Sequence, residues 1–162
     1  MKHYLIFDLG TGSTRVALTD SLGNVLGMRS FTNIYYRDDA YADGQYFLPA
    51  QWLEMLLNCC MELHKEFPDI RADVLSAAGA RQSIVLLDEN GAAFYGLPNI
   101  DNRGRQFMSG ITDRDYIYEH TGKWVTEDFC AAKLMGLKKV RREIYDRVSA
   151  VVSLSEWICY IF

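Results

Sequence analysis

The residues best suited to chemistry form a short segment of glycine and hydroxyl residues near the start of the chain. Asp8 interrupts an apolar run, and the turn Gly10, Thr11, Gly12 and Ser13 follows it almost directly. Because glycine tolerates positive φ, the N–H groups of such a turn can converge on an anion, with the hydroxyl groups as further donors. The segment therefore predicts a cradle for a phosphate group.

Two charged residues flank this turn. A carboxylate beside a phosphate-sized space is suited to anchor hydrated Mg²⁺, which makes Asp8 a candidate metal-binding residue through water. Arg15 adds a fixed positive charge nearby. Glycine and hydroxyl residues also build ordinary hairpin turns, and an aspartate at a strand end is common, so the residues alone leave both interpretations open.

The elements around the turn argue against two familiar nucleotide-binding patterns. Residues 4–9 and 13–20 alternate as strands, and a second turn at Leu22, Gly23 and Asn24 leads into a third strand over 25–36. This is an antiparallel meander. Because the glycine turn opens onto a strand rather than a helix, and no Walker lysine is present, the sequence argues against Rossmann and P-loop folds.

A second group of polar residues follows a short strand of small residues over 73–79. Arg81 and Gln82 come directly after it, and a hairpin turned at Asn90 and Gly91 follows. Open α/β sheets bind ligands at the carboxyl ends of their parallel strands. The pair is therefore a candidate ligand contact, although as a sequence feature alone it is weak.

Asp101 and Arg103 allow two interpretations. They could contact a ligand, or they could form a local ion pair or the N-cap of a helix over 102–118. The interpretations are compatible, because a capping carboxylate can still present an oxygen to a substrate hydroxyl.

The remaining pattern predicts mainly helices. We expect an amphipathic helix over 49–67, two shorter helices over 103–120, and a helical stripe over 134–148 whose Lys and Arg residues face solvent. His64, near the apolar stripe of the first helix, is interpreted as structural. We expect the acidic segment 37–45 to be a surface loop. Residues 150–154 are expected to be a buried parallel strand before a capped helix that begins at Ser155.

Composition places the chain among ordinary globular domains. It has 162 residues, of which 49% are hydrophobic, and a net charge of -4. We expect one domain with a real core, no basic face for nucleic acid, no membrane span, and a cytoplasmic location. The four cysteines lack metal or disulfide spacing and are expected to be reduced thiols. Because residues 157–162 are an uncapped apolar run, we expect the chain to be part of a longer protein.

The two polar segments resemble those of a known family. Residues 7–15 with 20–25 are similar to the first phosphate motif of the actin, Hsp70 and sugar kinase superfamily, and within it to the FGGY carbohydrate kinases. Residues 76–91 and 98–103 resemble that family's second landmark. Within the family, the chain looks most like autoinducer-2 kinases and xylulose kinase-like members, although Asn99 stands where xylulose kinases usually have tryptophan.

This resemblance implies a fold and a set of sites. The fold would be the ribonuclease H-like, actin-type ATPase lobe, with a three-stranded antiparallel meander followed by parallel strands and helices in a mixed sheet. Residues 1–162 would be the N-terminal kinase domain, without the second lobe that holds adenosine. Arg81 and Gln82 would contact sugar hydroxyls, Asp101 and Arg103 would close the same pocket, and Asp128 would enter it. The family's catalytic base, an aspartate, would lie beyond residue 162.

The resemblance also implies an activity. The whole protein would be a carbohydrate kinase that phosphorylates a sugar or polyol hydroxyl with ATP and Mg²⁺, while residues 1–162 alone would be inactive. Three alternatives stay open: a non-catalytic sugar-binding regulator, another activity of the actin-type fold such as acetate kinase or a chaperone ATPase, and a degenerate fragment with a structural role. A homodimer also stays open, and the sequence does not identify the sugar.

Overall fold

A computed structural model describes residues 1–162, in which strands and helices follow the predicted order closely. The strands are β1 His3–Leu9, β2 Ser13–Asp20, β3 Val25–Thr32, β4 Tyr36–Arg37, β5 Gln45–Tyr46, β6 Val74–Gly79, β7 Ile84–Leu87, β8 Ala93–Leu97 and β9 Ala150–Ser153. The α-helices are α1 Pro49–Glu66, α2 Arg114–Thr121, α3 Cys130–Val140, α4 Arg142–Tyr145 and α5 Leu154–Ile161, and a 3₁₀ helix spans Arg105–Gly110. None of the helices is long and apolar enough to cross a membrane.

The first sheet carries the predicted meander. Its strand order is β3-β2-β1-β6, with β1 antiparallel to β2 and parallel to β6. Asp8 lies opposite Arg15 on β2, and Leu9 lies opposite Gly79 on β6. This register brings the ends of β1 and β6 to one edge of the sheet, so that the two polar segments after them are neighbours.

The predicted strand over 150–154 differs from expectation. β9 pairs antiparallel with β7 in a separate three-stranded sheet of order β8-β7-β9, and its first two residues are exposed. β9 is an edge strand, so one of its edges has no partner strand. Its valine-rich sequence therefore does not mark a strand buried between two parallel neighbours.

Two helices cover the first sheet. α1 begins at Pro49, which fits the first turn of a helix because its missing N–H would have no partner there. The buried side chains of α1 and α5 meet β1 and β2 in the main core, which includes Phe7, Leu9, Val16, Trp52, Leu56, Leu63, Trp157 and Ile158. His64 lies on the exposed side of α1. The amphipathic helix predicted from the spacing is confirmed.

The segment 37–45 is exposed at Arg37, Asp39, Ala40, Ala42 and Asp43, as its polar sequence predicts, but it is not exposed throughout. The side chains of Asp38 and Tyr41 are buried, each with 3% relative exposure. The hydroxyl of Tyr41 donates to the carbonyl of Gly136 on α3. A carboxylate is buried here because arginine side chains from distant segments pair with it, as described below.

The helix pattern over 134–148 is divided in two. α3 and α4 are separated at Arg141, whose backbone leaves the helical region. Its side chain turns inward, and Nη1 lies 3.0 Å from Oδ1 of Asp38. Arg141 is therefore an exception to the prediction that the basic run is a solvated face, whereas Lys138, Lys139 and Arg142 are exposed as expected.

Candidate functional site

The turn between β1 and β2 is held in place by hydrogen bonds from two side chains. Asn33 Nδ2 donates to the carbonyls of Gly10 and Thr11 at 2.8 and 3.1 Å, and Tyr35 Oη donates to the carbonyl of Thr11 at 2.6 Å. The carbonyl of Gly12 accepts from the backbone N–H of Asn33. All three carbonyls are thus engaged, whereas the N–H groups of the same residues donate to no other backbone group. Free N–H donors are what a phosphate cradle requires.

The conformation of this turn differs from the expected one. Positive φ is confined to Gly23, Gly91, Gly122 and one non-glycine residue, so neither Gly10 nor Gly12 uses it. A Cβ on Gly10 would approach the carbonyl oxygen of Ser13 to 3.0 Å, whereas a Cβ on Gly12 would meet nothing within 4 Å. Gly10 therefore allows the backbone to approach the Ser13 carbonyl closely, and Gly12 leaves the space beside the turn open. Neither glycine is needed for a left-handed backbone conformation.

Asp8 lies on β1, two residues before Gly10 of this turn. Its carboxylate forms an ion pair with Arg15 at 3.0 Å, and the two side chains are about half exposed, at 51% and 48%. Such an exposed pair contributes little to stability. The carboxylate is therefore accessible, and one accessible carboxylate beside free N–H donors fits the usual protein contribution to a Mg²⁺ site that phosphates complete.

A polar cleft of about 440 Å³ opens beside the turn. It is lined by Thr11, Ala80, Arg81, Gln82, Asn99, Lys123 and Asp128. Four predicted site residues, which come from three separate segments of the chain, therefore lie around one space. Because Thr11 belongs to the turn as well, the cleft and the turn are adjacent.

Gln82 occupies this cleft with a strained backbone. Its φ of 65° is the one positive value outside glycine, and such backbone costs about 1 kcal/mol or more. The side-chain Oε1 accepts from the N–H of Cys130 at 3.3 Å and lies 3.0 Å from its Sγ. Strained residues of this kind cluster at functional sites, and Gln82 is fixed by the first residue of α3.

Two residues that line the cleft were absent from the predicted site. Asn99 Nδ2 donates to Thr11 Oγ1 at 2.9 Å, and its Oδ1 is buried without a hydrogen-bond partner. The signal for Asn99 is an amide at the position where, by the resemblance, xylulose kinases usually have tryptophan. Lys123 follows the left-handed Gly122 that ends α2, and no sequence pattern marks it as a site residue.

Asp101 and Arg103 lie away from the cleft. Both side chains are fully buried, and Arg103 Nε donates to Asp101 Oδ2 at 2.8 Å. Arg103 Nη1 reaches Asp38 at 3.1 Å, and Asp101 accepts from the N–H of Gln45 at 2.8 Å. Both side chains point into an internal cluster and neither lines the cleft, so their contact with a sugar stays a prediction. The local ion pair is the interpretation that the structure shows.

This internal cluster is electrostatically tight. Burial is the largest single influence and disfavours the guanidinium charge, but the charges and hydrogen bonds of Asp101 and Tyr95 together outweigh it, so the pKa of Arg103 lies above its ordinary value. The guanidinium carbon lies 4.7 Å from the centre of the Tyr41 ring. Burial raises the pKa of Tyr41 to about 12. Burial also raises the pKa of the Asp101 carboxyl, against the attraction of Arg103. The cluster joins the segment 37–45 to the segment before the 3₁₀ helix.

Comparison with known proteins gives a consistent result. The chain matches the FGGY family of carbohydrate kinases, N-terminal domain, over residues 3–162. The Bacillus subtilis (strain 168) protein named "Putative sugar kinase YoaC" is 39% identical over 98% of this chain and 33% of its own length. The autoinducer-2 kinase of Salmonella choleraesuis (strain SC-B67) is 25% identical over 98% of this chain and 32% of its own.

A solved structure shares the fold. The structure described as a xyloylose kinase from Brucella ovis has a TM-score of 0.86 and 21% identity, over 96% of this chain and 33% of that one. The likeness confirms the predicted fold class. The chain spans about a third of the length of the curated relatives it matches.

Proposed function

This chain belongs to the FGGY family of carbohydrate kinases, and on that premise we propose that the whole protein transfers a phosphoryl group from ATP to a hydroxyl group of a sugar or polyol. Residues 1–162 are the N-terminal domain of that protein, and a second lobe completes the nucleotide site. The single observation that carries this proposal is that Thr11 lies both in the turn with free N–H groups and in the polar cleft.

The cleft suits a polyhydroxy acceptor. Arg81 supplies a donor with several N–H groups, Gln82 an amide, and Asp128 an acceptor that already accepts from the Thr126 hydroxyl. Asn99 adds a buried carbonyl oxygen with no partner, which a substrate hydroxyl could satisfy. Sugar hydroxyls are both hydrogen-bond donors and acceptors. A cleft that offers both donors and acceptors therefore matches them better than a pocket that offers only one kind.

The turn suits the transferred phosphate. Phosphoryl transfer depends on positioning and charge neutralisation more than on covalent chemistry. The N–H groups of Gly10, Thr11 and Gly12 would donate to phosphate oxygens, with Ser13 adding a hydroxyl and Arg15 a positive charge. Asp8 would hold Mg²⁺ through water, and the ion would supply neutralisation of the phosphate charge when bound.

Asp101 and Arg103 do not contact the acceptor in this proposal, but they position a residue that does. Asp101 follows Asn99 by two residues and is fixed by Arg103, so the ion pair holds the segment that presents Asn99 to the cleft. No residue of the cleft is assigned as catalytic base. That residue would come from the part of the protein beyond residue 162, and residues 1–162 alone would therefore not phosphorylate sugars.

A direct assay tests the proposal. The whole protein, supplied with ATP and Mg²⁺, would be tested against a panel of ketoses, aldoses and polyols by following ADP release. We expect one class of acceptor to give saturable turnover and residues 1–162 alone to give none. Binding of an acceptor without turnover by the whole protein would instead indicate a non-catalytic sugar-binding protein and overturn the kinase proposal.

A further inference from the structure

We propose that Lys133 is a positioning residue for the acceptor, because its ammonium group joins the two backbone segments that carry Gln82 and Asn99. This inference rests on the proposed function, since it concerns the same cleft. Lys133 lies on α3 outside the set of residues that line the cleft. It acts through its neighbours and does not touch the substrate.

The contacts of Lys133 are specific. The side chain is fully buried, and Nζ donates to the carbonyl of Gln82 at 2.8 Å and to the carbonyl of Pro98 at 2.6 Å. No carboxylate lies within ion-pair distance of Nζ. A buried ammonium group is costly, and an apolar side chain would fill the same space at less expense. We therefore attribute the role of this charge to the two backbone carbonyls that it holds in place, those of Gln82 and Pro98.

Both of its partners adjoin residues of the cleft. Gln82 has the left-handed backbone, and its carbonyl accepts from Lys133 Nζ but from no backbone N–H. Pro98 immediately precedes Asn99, whose N–H donates to Ser83 Oγ at 2.9 Å. One ammonium group thus ties the strained segment after β6 to the segment after β8. Losing this tie would loosen both walls of the cleft together.

The charge of Lys133 is also sensitive to pH. Burial lowers its pKa to about 8, against the opposing effect of the Asp101 carboxylate. The other charged or titratable groups that act on it are Cys130 on its own helix, Asp128 before that helix and Arg103 of the buried cluster. A neutral amine is a weaker donor to the two carbonyls than an ammonium group. Acceptor affinity is therefore expected to fall as pH rises through about 8.

The test compares Lys133→Met with Lys139→Met in the whole protein. Lys139 lies on the same helix and is exposed, so it is a matched control. We expect Lys133→Met to raise the KM for the acceptor about tenfold, equal to about 1.4 kcal/mol, while the KM for ATP changes less than about twofold. Folded Lys133→Met with an unchanged acceptor KM would overturn the inference.

Two further measurements keep the inference testable if that variant does not fold or if the protein is not a kinase. In the wild-type protein, the acceptor KM should rise between pH 7 and 9.5 while the ATP KM stays level, and a flat acceptor profile would overturn the inference. If no acceptor is phosphorylated, the proposed function fails separately. Hydrogen exchange then decides: the amides of Ser83 and Asn99 should exchange faster at pH 9 than at pH 7 relative to those of β2, and equal ratios would overturn the inference.

Discussion

Asn99 Nδ2 donates a 2.9 Å hydrogen bond to Thr11 Oγ1, and this contact joins residues that are 88 positions apart in the chain. Thr11 belongs to the turn with free N–H groups, and Asn99 belongs to the lining of the polar cleft. The bond therefore couples the proposed phosphate site to the proposed acceptor site. A substitution that breaks this bond should therefore affect both the proposed phosphate site and the proposed acceptor site.

Replacing Asn99 with alanine tests this link. The substitution removes the donor to Thr11 and also the unpartnered Oδ1, so the free energy of unfolding should fall by no more than about 1 kcal/mol. The acceptor KM should rise about tenfold. Steady-state kinetics and urea denaturation give the two quantities. Asn90→Ala, in the distant hairpin, is the control, and equal kinetics in the two variants would argue against a role for Asn99.

Replacing Gly12 with alanine tests the phosphate turn. A Cβ at this position meets nothing within 4 Å and the residue does not have positive φ, so stability should change by less than about 0.5 kcal/mol. The added methyl group would occupy the space of a bound phosphate, so the KM for ATP should rise. Gly23→Ala is the opposite control: with its φ of 86° it should lose about 1 kcal/mol of stability and keep the ATP KM. Unchanged ATP kinetics in Gly12→Ala would remove the turn from the nucleotide site.

Replacing Asp8 with asparagine tests the metal anchor. The side chain keeps its shape but loses the charge that would hold hydrated Mg²⁺, and the exposed pair with Arg15 contributes little to stability. The Mg²⁺ concentration for half-maximal rate should rise about 10- to 100-fold, with the acceptor KM unchanged. A titration of Mg²⁺ at fixed ATP measures this. Asp39→Asn, an exposed carboxylate paired with Arg37, should leave the titration as in the wild type.

Replacing Arg103 with methionine tests the buried ion cluster. The loss leaves the buried carboxylate of Asp101 without an ionic partner and leaves Asp38 with Arg141 alone, so the free energy of unfolding should fall by about 3–5 kcal/mol. Arg142→Met removes an exposed pair with Asp146 and should cost less than about 1 kcal/mol. Chemical denaturation of both variants gives the comparison. Similar losses would mean that the cluster does not stabilise the segment 37–45.

Local patterns in the sequence predicted most of the elements. The meander, the hairpin at Gly91 and the helix α1 follow from turn residues and apolar spacing within a few positions of each residue. The family was also predicted correctly, because the turn after Asp8 and the segment around Arg81 carry distinctive residues. The prediction that Arg81, Gln82 and Asp128 share one site stays a prediction about ligands, although the three residues do lie around one cleft.

Contacts between residues that are far apart in the chain could not be predicted from the sequence. Asp38 and Arg141 are 103 positions apart. The residues near Asp38 in the sequence therefore do not indicate that its carboxylate is buried against arginine side chains. The direction of β9 depends in the same way on which sheet it joins, not on its own valines. Lys133 is a further case, because its sequence neighbours do not indicate that it reaches the carbonyls of Gln82 and Pro98.

The charge of Lys133 should make stability depend on pH in a recognisable direction. Burial lowers its pKa to about 8 in the folded protein from 10.5 in the unfolded chain, so between these values the unfolded chain binds more protons. The cost of the buried charge is complete below about pH 8 and is relieved as pH rises towards 10.5, so this group makes the free energy of unfolding increase with pH. Burial also raises the pKa of Cys60 to about 11, which acts in the opposite sense, so the difference from Lys133→Met is the informative quantity. Denaturation at pH 7.5, 8.5 and 9.5 should show the wild type gaining about 1–2 kcal/mol relative to the variant, and parallel curves would mean that Lys133 is not a buried ammonium group.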